Sequence, residues 1–182
     1  MNVSGFYTNF SFVSISELIA LFHHRWSAPV LVEILRQKGS RFAALAGRLG
    51  VGRGTLRRTL DSLLELGLVA RNPGYGHPLR PEYVLTAKGN AVAERCAKLL
   101  AAAEDDIVLR KWTLPVLVAL ERAARFTQLR AELPGVTPRA LALALKDLQA
   151  AGLAERRVED AYPPIVVYRA TTRGRRLQRL VA

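Results

Sequence analysis

The 182 residues carry 27 Lys and Arg against 15 Asp and Glu, a formal net charge of +12, and half of them are apolar. That apolar fraction excludes an intrinsically disordered chain, and the charge points to a polyanionic partner, nucleic acid or an anionic surface, which composition alone does not separate. A single cysteine, Cys96, excludes an intramolecular disulfide framework and fits a reducing compartment.

Residues 1–15 read as an N-terminal arm. Its apolar residues follow no basic one, and Asn, Ser and Thr interrupt them before Glu17, a poor match to a secretion signal. No uninterrupted apolar run reaches the ~20 residues that a membrane-spanning helix needs. The expectation is a soluble cytoplasmic protein associated with the nucleoid, with no membrane partner.

From Trp26 to Gln37 an apolar stripe predicts a helix stopped at Lys38-Gly39. Phe42, Leu45 and Leu49 predict a short second helix closed by Gly50. Gly52 caps a third, in which Leu56, Leu60, Leu63 and Leu64 recur at helical spacing and turn Arg53, Gly54, Arg57, Arg58 and Asp61 to the opposite face before a stop at Gly67. Strand-like Leu68-Val69-Ala70-Arg71 and Tyr83-Val84-Leu85 then flank a turn-rich tip from Asn72 to Pro78. Helix, helix, turn, helix and hairpin make a winged helix-turn-helix, here over 16–86.

Ala-, Leu-, Lys- and Glu-rich sequence from Ala87 predicts a connecting helix over 87–105, which either runs on towards Trp112 or breaks near Glu104-Asp105-Asp106. The remainder, 106–182, repeats the first module. Arg25-Trp26 with Pro29-Val30-Leu31-Val32 matches Lys111-Trp112 with Pro115-Val116-Leu117-Val118 at an offset of 86. Arg41-Phe42 matches Arg125-Phe126 at 84, while Gly67-Leu68 matches Gly152-Leu153, and Tyr83 matches Tyr168, at 85. The offset changes only where loops are expected, as a true internal repeat requires. In the second copy Thr137 is a good N-cap, Pro138 fits the first helical position, and the wing runs from Ala154 to Tyr168. The expected fold is therefore mainly α with small β-wings: two tandem winged helix-turn-helix domains joined by a helix rather than by a flexible Gly/Ser linker.

Trp26, Pro29-Val30-Leu31, Arg41-Phe42-Ala43-Ala44-Leu45, Thr55-Leu56, Gly67-Leu68-Val69, Tyr83, Leu85-Thr86 and Gly89 together resemble the HxlR family of bacterial winged-helix transcription regulators. Lys111-Trp112, Arg125-Phe126, Leu129, Gly152-Leu153, Pro163-Pro164, Tyr168, Thr171 and Gly174 resemble it again. The resemblance implies a DNA-binding transcription regulator. Such proteins are usually single modules that dimerise, and many sense reactive small molecules through a cysteine before the Trp helix. Here two modules share one chain and no cysteine closely precedes Trp26 or Trp112, so a single-chain pseudo-dimer, or a dimer of tandem modules, is the expected geometry.

Each third helix is expected to read double-stranded DNA. In the first, Arg53, Gly54, Thr55, Arg57 and Arg58 are the candidates, since an arginine can neutralise phosphate or pair bidentately with guanine for roughly 1–3 kcal/mol of discrimination. Arg53, Gly54, Arg57, Arg58 and Asp61 align with Pro138, Arg139, Ala142, Leu143 and Lys146. Arg139 and Lys146 are thus the second candidates, the first module is expected to dominate affinity, and Ala142 and Leu143 are expected to meet thymine methyls or a second copy. Arg41, Arg71, His77 and Arg80 around the first helix, and Arg125, Arg156 and Arg157 around the second, fall where a duplex backbone would pass, with Arg48, Arg130 and Arg169 in support. Arg173, Arg175, Arg176 and Arg179 fit a solvated helix face equally well. For an isolated helix an exposed Arg57–Asp61 pair would account for the charge, but the repeated pattern and the net charge favour DNA.

Trp26, Trp112, Phe42 and Phe126 read as core anchors, Tyr83 and Tyr168 as packing residues of the return strands, and Cys96 as a small buried side chain. His23 and His24 are adjacent and point apart on a helix, so no metal and no cofactor is expected. Gly50-Val51-Gly52-Arg53-Gly54 leads out of a helix without phosphate-loop spacing, and no nucleophile with its base or paired carboxylates is visible, so no enzymatic role is expected. The alternative to operator binding is a protein-interaction adaptor with weak or no specific DNA binding, engaging an unidentified protein partner. Self-association is expected through Ala142, Leu143 or the connecting helix.

Overall fold

The computed structural model describes residues 14–72, 82–103 and 106–181. Most of the N-terminal arm, the first wing tip with His77 and Arg80, and Glu104-Asp105 lie outside the described residues.

Helix α1 (Ile15–Leu21) starts at Ser14, whose Oγ accepts the Glu17 N–H at 3.2 Å while the Glu17 carboxylate accepts the Ser14 N–H at 2.9 Å. The reciprocal pair satisfies two donors that a helix start leaves open. Helix α2 (Ser27–Gln37) follows Trp26, and its end differs from the expected glycine stop: Lys38 itself takes the left-handed turn at φ 57°, with Gly39 next at φ 131°. Strand β1 (Ser40–Arg41) has no periodicity to announce it, because it is only two residues long. Helix α3 (Phe42–Leu49) closes at left-handed Gly50, and α4 (Arg53–Glu65) begins at Gly52 and gives way to left-handed Gly67. Strands β2 (Val69–Asn72) and β3 (Glu82–Leu85) complete an antiparallel sheet of order β1-β3-β2, with Ser40 and Arg71 both in register with Tyr83.

Helix α5 (Ala87–Ala102) is capped by Thr86 and ends at Ala103, so the chain breaks between the modules rather than running on as one helix. A 3-10 turn over Asp106–Leu109 leads to Trp112. Then come α6 (Thr113–Ala119), α7 (Phe126–Glu132), α8 (Pro138–Ala150), β4 (Ala154–Glu159), β5 (Ile165–Ala170) and α9 (Thr172–Val181). At the start of α8 the Thr137 Oγ1 accepts the Ala140 N–H at 3.2 Å, and Pro138 occupies the first turn. The counterpart of β1 is reduced to one antiparallel bridge, Ala124 with Tyr168.

Helix α5 packs along α2 and also against α9, while α1 packs against α6. Buried side chains of both modules, from Leu18 to Val181, consequently form one hydrophobic cluster, with Trp26, Trp112, Phe42 and Phe126 partly buried on it. On α9, Gly174, Leu177, Gln178 and Val181 face inward, and Arg173, Arg175, Arg176 and Arg179 are exposed.

Candidate nucleic-acid interface

Helices α4 and α8 are each held from behind by leucine. On α4, Leu56, Thr59, Leu60 and Leu63 are buried, and the rotation of ~100° per residue leaves Arg53, Gly54, Arg57, Arg58 and Asp61 exposed. Thr55 is half-buried and its carbonyl accepts the Thr59 hydroxyl at 2.9 Å, so Thr59 is tied within the helix. No ion pair among the described residues takes up Arg53, Arg57, Arg58 or Asp61. The Arg57–Asp61 pair that would have explained the charge is therefore not formed.

On α8, Leu141, Ala144, Leu145 and Leu148 are buried and Arg139, Ala142, Leu143 and Lys146 are exposed. Leu143 is 55% exposed, a large apolar side chain in water at the position where α4 carries Arg58. Asp147, which follows exposed Lys146 and is itself partly buried, is held by Arg110.

The flanking cations divide. Arg41 on β1, Arg71 on β2, Arg125 before α7, Arg130 on α7 and Arg156 on β4 are all exposed. Arg48 lies 3.6 Å from the Glu33 carboxylate, which draws part of its charge inward. In the second wing Glu155 accepts from Arg169 and lies 3.4 Å from Arg157, and the Arg169 hydrogen bond first, then the neighbouring arginine charges, hold its carboxyl below the usual range. The second wing is thus less cationic than a count of its arginines suggests.

Two basic residues outside the sequence-predicted set of DNA contacts, His24 and Lys111, are linked electrostatically to α4. His24 is partly buried, and its imidazole is held below the ordinary value by that desolvation first, then by the charges of His23, Arg58 and Lys111. The charges of Arg58 on α4 and of Lys111 in the second module both act on His24, and Lys111 Nζ lies 5.2 Å from the centre of the Trp112 ring. The signal was in the repeat: His24-Arg25 aligns with Arg110-Lys111, a basic pair before each tryptophan.

Among the described residues no group of three or more His, Cys, Asp or Glu could hold a metal ion, and no helix is long and apolar enough to cross a membrane. Cys96 is buried on α5, where burial pushes its thiol up to about 12.

A family model described as HxlR-like helix-turn-helix matches the chain twice, over residues 21–106 and 107–182. An uncharacterised HTH-type transcriptional regulator of Synechocystis sp. is 39% identical over 74 residues, 40% of this chain and 55% of that protein. One of Mycobacterium tuberculosis is 38% identical over 89 residues, 49% of this chain and 56% of that protein. The chain spans about half the length of these curated relatives. Among solved structures, the reduced form of the transcriptional regulator YodB from B. subtilis is similar at 26% identity and TM-score 0.39, covering 49% of this chain and 80% of that one. A MarR-family regulator from Porphyromonas gingivalis W83 is similar at 29% identity and TM-score 0.39, covering 41% and 74%.

Proposed function

The chain belongs to the HxlR-like helix-turn-helix family of transcription regulators, and we propose that it binds a double-stranded operator as a single-chain pseudo-dimer whose two reading helices are unequal. The observation that carries this reading is the pairing of α4 with α8: the same buried leucine face behind each, an uncompensated arginine face on one and a mixed Arg139, Ala142, Leu143 and Lys146 face on the other. Helix α4 supplies most of the affinity, through phosphate neutralisation and guanine contacts by Arg53, Arg57 and Arg58. Helix α8 reads a thymine-containing half-site, with the Leu143 and Ala142 side chains against C5-methyl groups.

The contacts of α5 with α9 and of α1 with α6 support one chain doing what two single-module chains do together. Two such helices on one face of a duplex reach half-sites about 34 Å apart, one helical turn. Arg41, Arg71, Arg125 and Arg156 then flank the backbone, and His24 and Lys111 meet phosphates between the half-sites.

Genomic fragments selected on the purified protein, followed by fluorescence anisotropy over a salt series, test this. The expected result is a recurrent asymmetric motif and an affinity that falls steeply and linearly on a log–log salt plot. Affinity indifferent to sequence, or a palindromic motif with equal halves, would overturn it.

A further inference from the structure

The joint between the modules holds an open cavity of about 450 Å³. Arg25 reaches it from between α1 and α2, Asp106 and Arg110 from the segment between α5 and α6, and Asp147, Ala150 and Ala151 from the last turns of α8. Arg25 donates to the Asp106 carboxylate and Arg110 to the Asp147 carboxylate. Each guanidinium has five N–H donors and each carboxylate two oxygens, so these single bonds leave donors and acceptors of both signs on residues that line the cavity. The side chains of Arg25 and Arg110 are 58% and 60% exposed. Only the exposed Arg25–Asp106 pair crosses from one module to the other, and such a pair contributes about 0–1 kcal/mol; Arg110–Asp147 lies within the second module, with the Asp147 side chain 18% exposed.

The lining differs from the matching positions of the first copy. Helix α4 ends in Glu65 and Leu66 where α8 ends in Ala150 and Ala151, and it has Ser62 where α8 has Asp147; His24 stands in the place of Arg110. The second copy thus combines two small side chains with charged Arg110 and Asp147 at the cavity wall.

We propose that the cavity binds a small zwitterion of the α-amino-acid type with an apolar side chain. Its carboxylate takes the remaining donors of Arg25 and Arg110, its ammonium takes the free oxygens of Asp106 and Asp147, and its side chain lies over Ala150 and Ala151. Among the described residues, two guanidiniums and two carboxylates give a net-neutral but bipolar lining, in which a lone anion or cation meets a like charge beside each partner and a zwitterion does not. The volume falls within the ~300–1,000 Å³ of small-molecule sites. Because Asp147, Ala150 and Ala151 belong to α8, occupancy also changes the placement of that reading helix. This regulatory half rests on the operator-binding reading above; the binding site does not.

Calorimetric titration of the full chain, without DNA, with each proteinogenic L-amino acid at millimolar concentration tests the site. At least one apolar amino acid should bind saturably, and its amide and its α-hydroxy acid should each bind at least about tenfold more weakly. The double variant Ala150→Glu, Ala151→Leu restores the first module's residues at the surface and should abolish the heat, with the circular dichroism spectrum and thermal midpoint as controls of folding. Asp147→Ser, a second variant, should weaken binding as well. No heat with any of the amino acids, or binding unchanged in both variants, overturns the site. Operator affinity with the bound amino acid present should shift about fivefold or more. Unchanged affinity beside intact calorimetric binding overturns the regulatory half alone, and an absence of operator binding at any amino-acid concentration overturns the DNA reading while the calorimetry still decides the site.

Discussion

Gly89 on α5 lies directly against the carbonyl of Leu68: a Cβ at Gly89 would stand 1.8 Å from that oxygen, and one at Gly174 on α9 would stand 2.0 Å from the oxygen of Leu153. The same cap sets both approaches. Thr86 Oγ1 donates to the Gly67 carbonyl at 2.7 Å and accepts the Gly89 N–H at 2.9 Å. Thr171 Oγ1 donates to the Gly152 carbonyl at 2.7 Å and accepts the Gly174 N–H at 3.1 Å. One threonine and one glycine in each copy thus fasten the turn leading into the wing's first strand to the helix that carries the contact between modules.

Gly89→Ala should destabilise the protein by about 1–3 kcal/mol despite alanine's better helix propensity, because the added methyl meets backbone that has no rotamer to change. Gly174→Ala should behave alike. Gly47, exposed on α3 with nothing within 4 Å of its would-be Cβ, is the contrast: Gly47→Ala should gain about 0.5–1 kcal/mol. Urea midpoints at an unchanged slope measure all three, and a neutral Gly89→Ala would show that α5 does not sit against the Leu68 carbonyl.

Arg57→Ala with Arg58→Ala should weaken operator binding far more than Arg139→Ala does. Each lost phosphate contact should also lower the salt slope by about one. Leu143→Ala should change the base preference of one half-site while leaving the salt slope alone, since it removes apolar contact and no charge. Anisotropy titrations with both half-sites scrambled in turn separate these effects, and equal losses from both helices would mean that the modules share the affinity.

The repeat, the glycine stops and the leucine stripes made the winged-helix order legible, because helix faces follow from a period that single residues keep. What escaped was set by contacts distant in sequence. The two residues of β1 show no pattern, and their place comes from pairing with β3. Lys38 rather than Gly39 ends α2, which propensity argues against, and Gly39 instead stands where a Cβ would come within 3.1–3.3 Å of Glu82 and Val84 on β3. Among the site residues, exposure of Arg53, Arg57 and Arg58 followed from the helical wheel, whereas the sharing of Glu155 by Arg157 and Arg169 depends on strand register. The place of His24 beside Arg58 and Lys111 depends on how the modules meet, which no stretch of sequence carries alone.

His24 makes stability depend on pH with a definite sign. Its folded value lies below the ordinary ~6.5, so in the window between the two the unfolded chain binds the proton and the folded chain does not. Stability is complete above that window and falls as the pH drops through it. Replacing the imidazole by His24→Gln should flatten this part of the profile, so the stability difference between wild type and variant should change between pH 7.5 and pH 5. DNA phosphate near Arg58 and Lys111 should act in the opposite sense, raising the imidazole's affinity for protons, so operator binding should tighten on acidification more in wild type than in the variant. A difference in stability that stays flat across that range counts against the placement of His24.

Cys96 should be silent to oxidants. A thiol at about 12 is ionised at pH 8 to only roughly one part in 10⁴, and the thiolate is the species that attacks peroxide, disulfide or alkylating agent. Its position in the middle of α5, buried on the helix that packs along α2 and against α9, adds a steric barrier to the electrostatic one. Iodoacetamide should label the native protein far more slowly than the protein in concentrated urea, and treatment with diamide should leave operator affinity unchanged. Cys96→Ala should likewise keep both affinity and its response to salt, at a modest cost in stability from the small cavity left behind. Rapid native labelling, or an operator affinity that diamide shifts and Cys96→Ala protects, would show instead that α5 opens on the timescale of the reaction and that the junction between modules responds to oxidation.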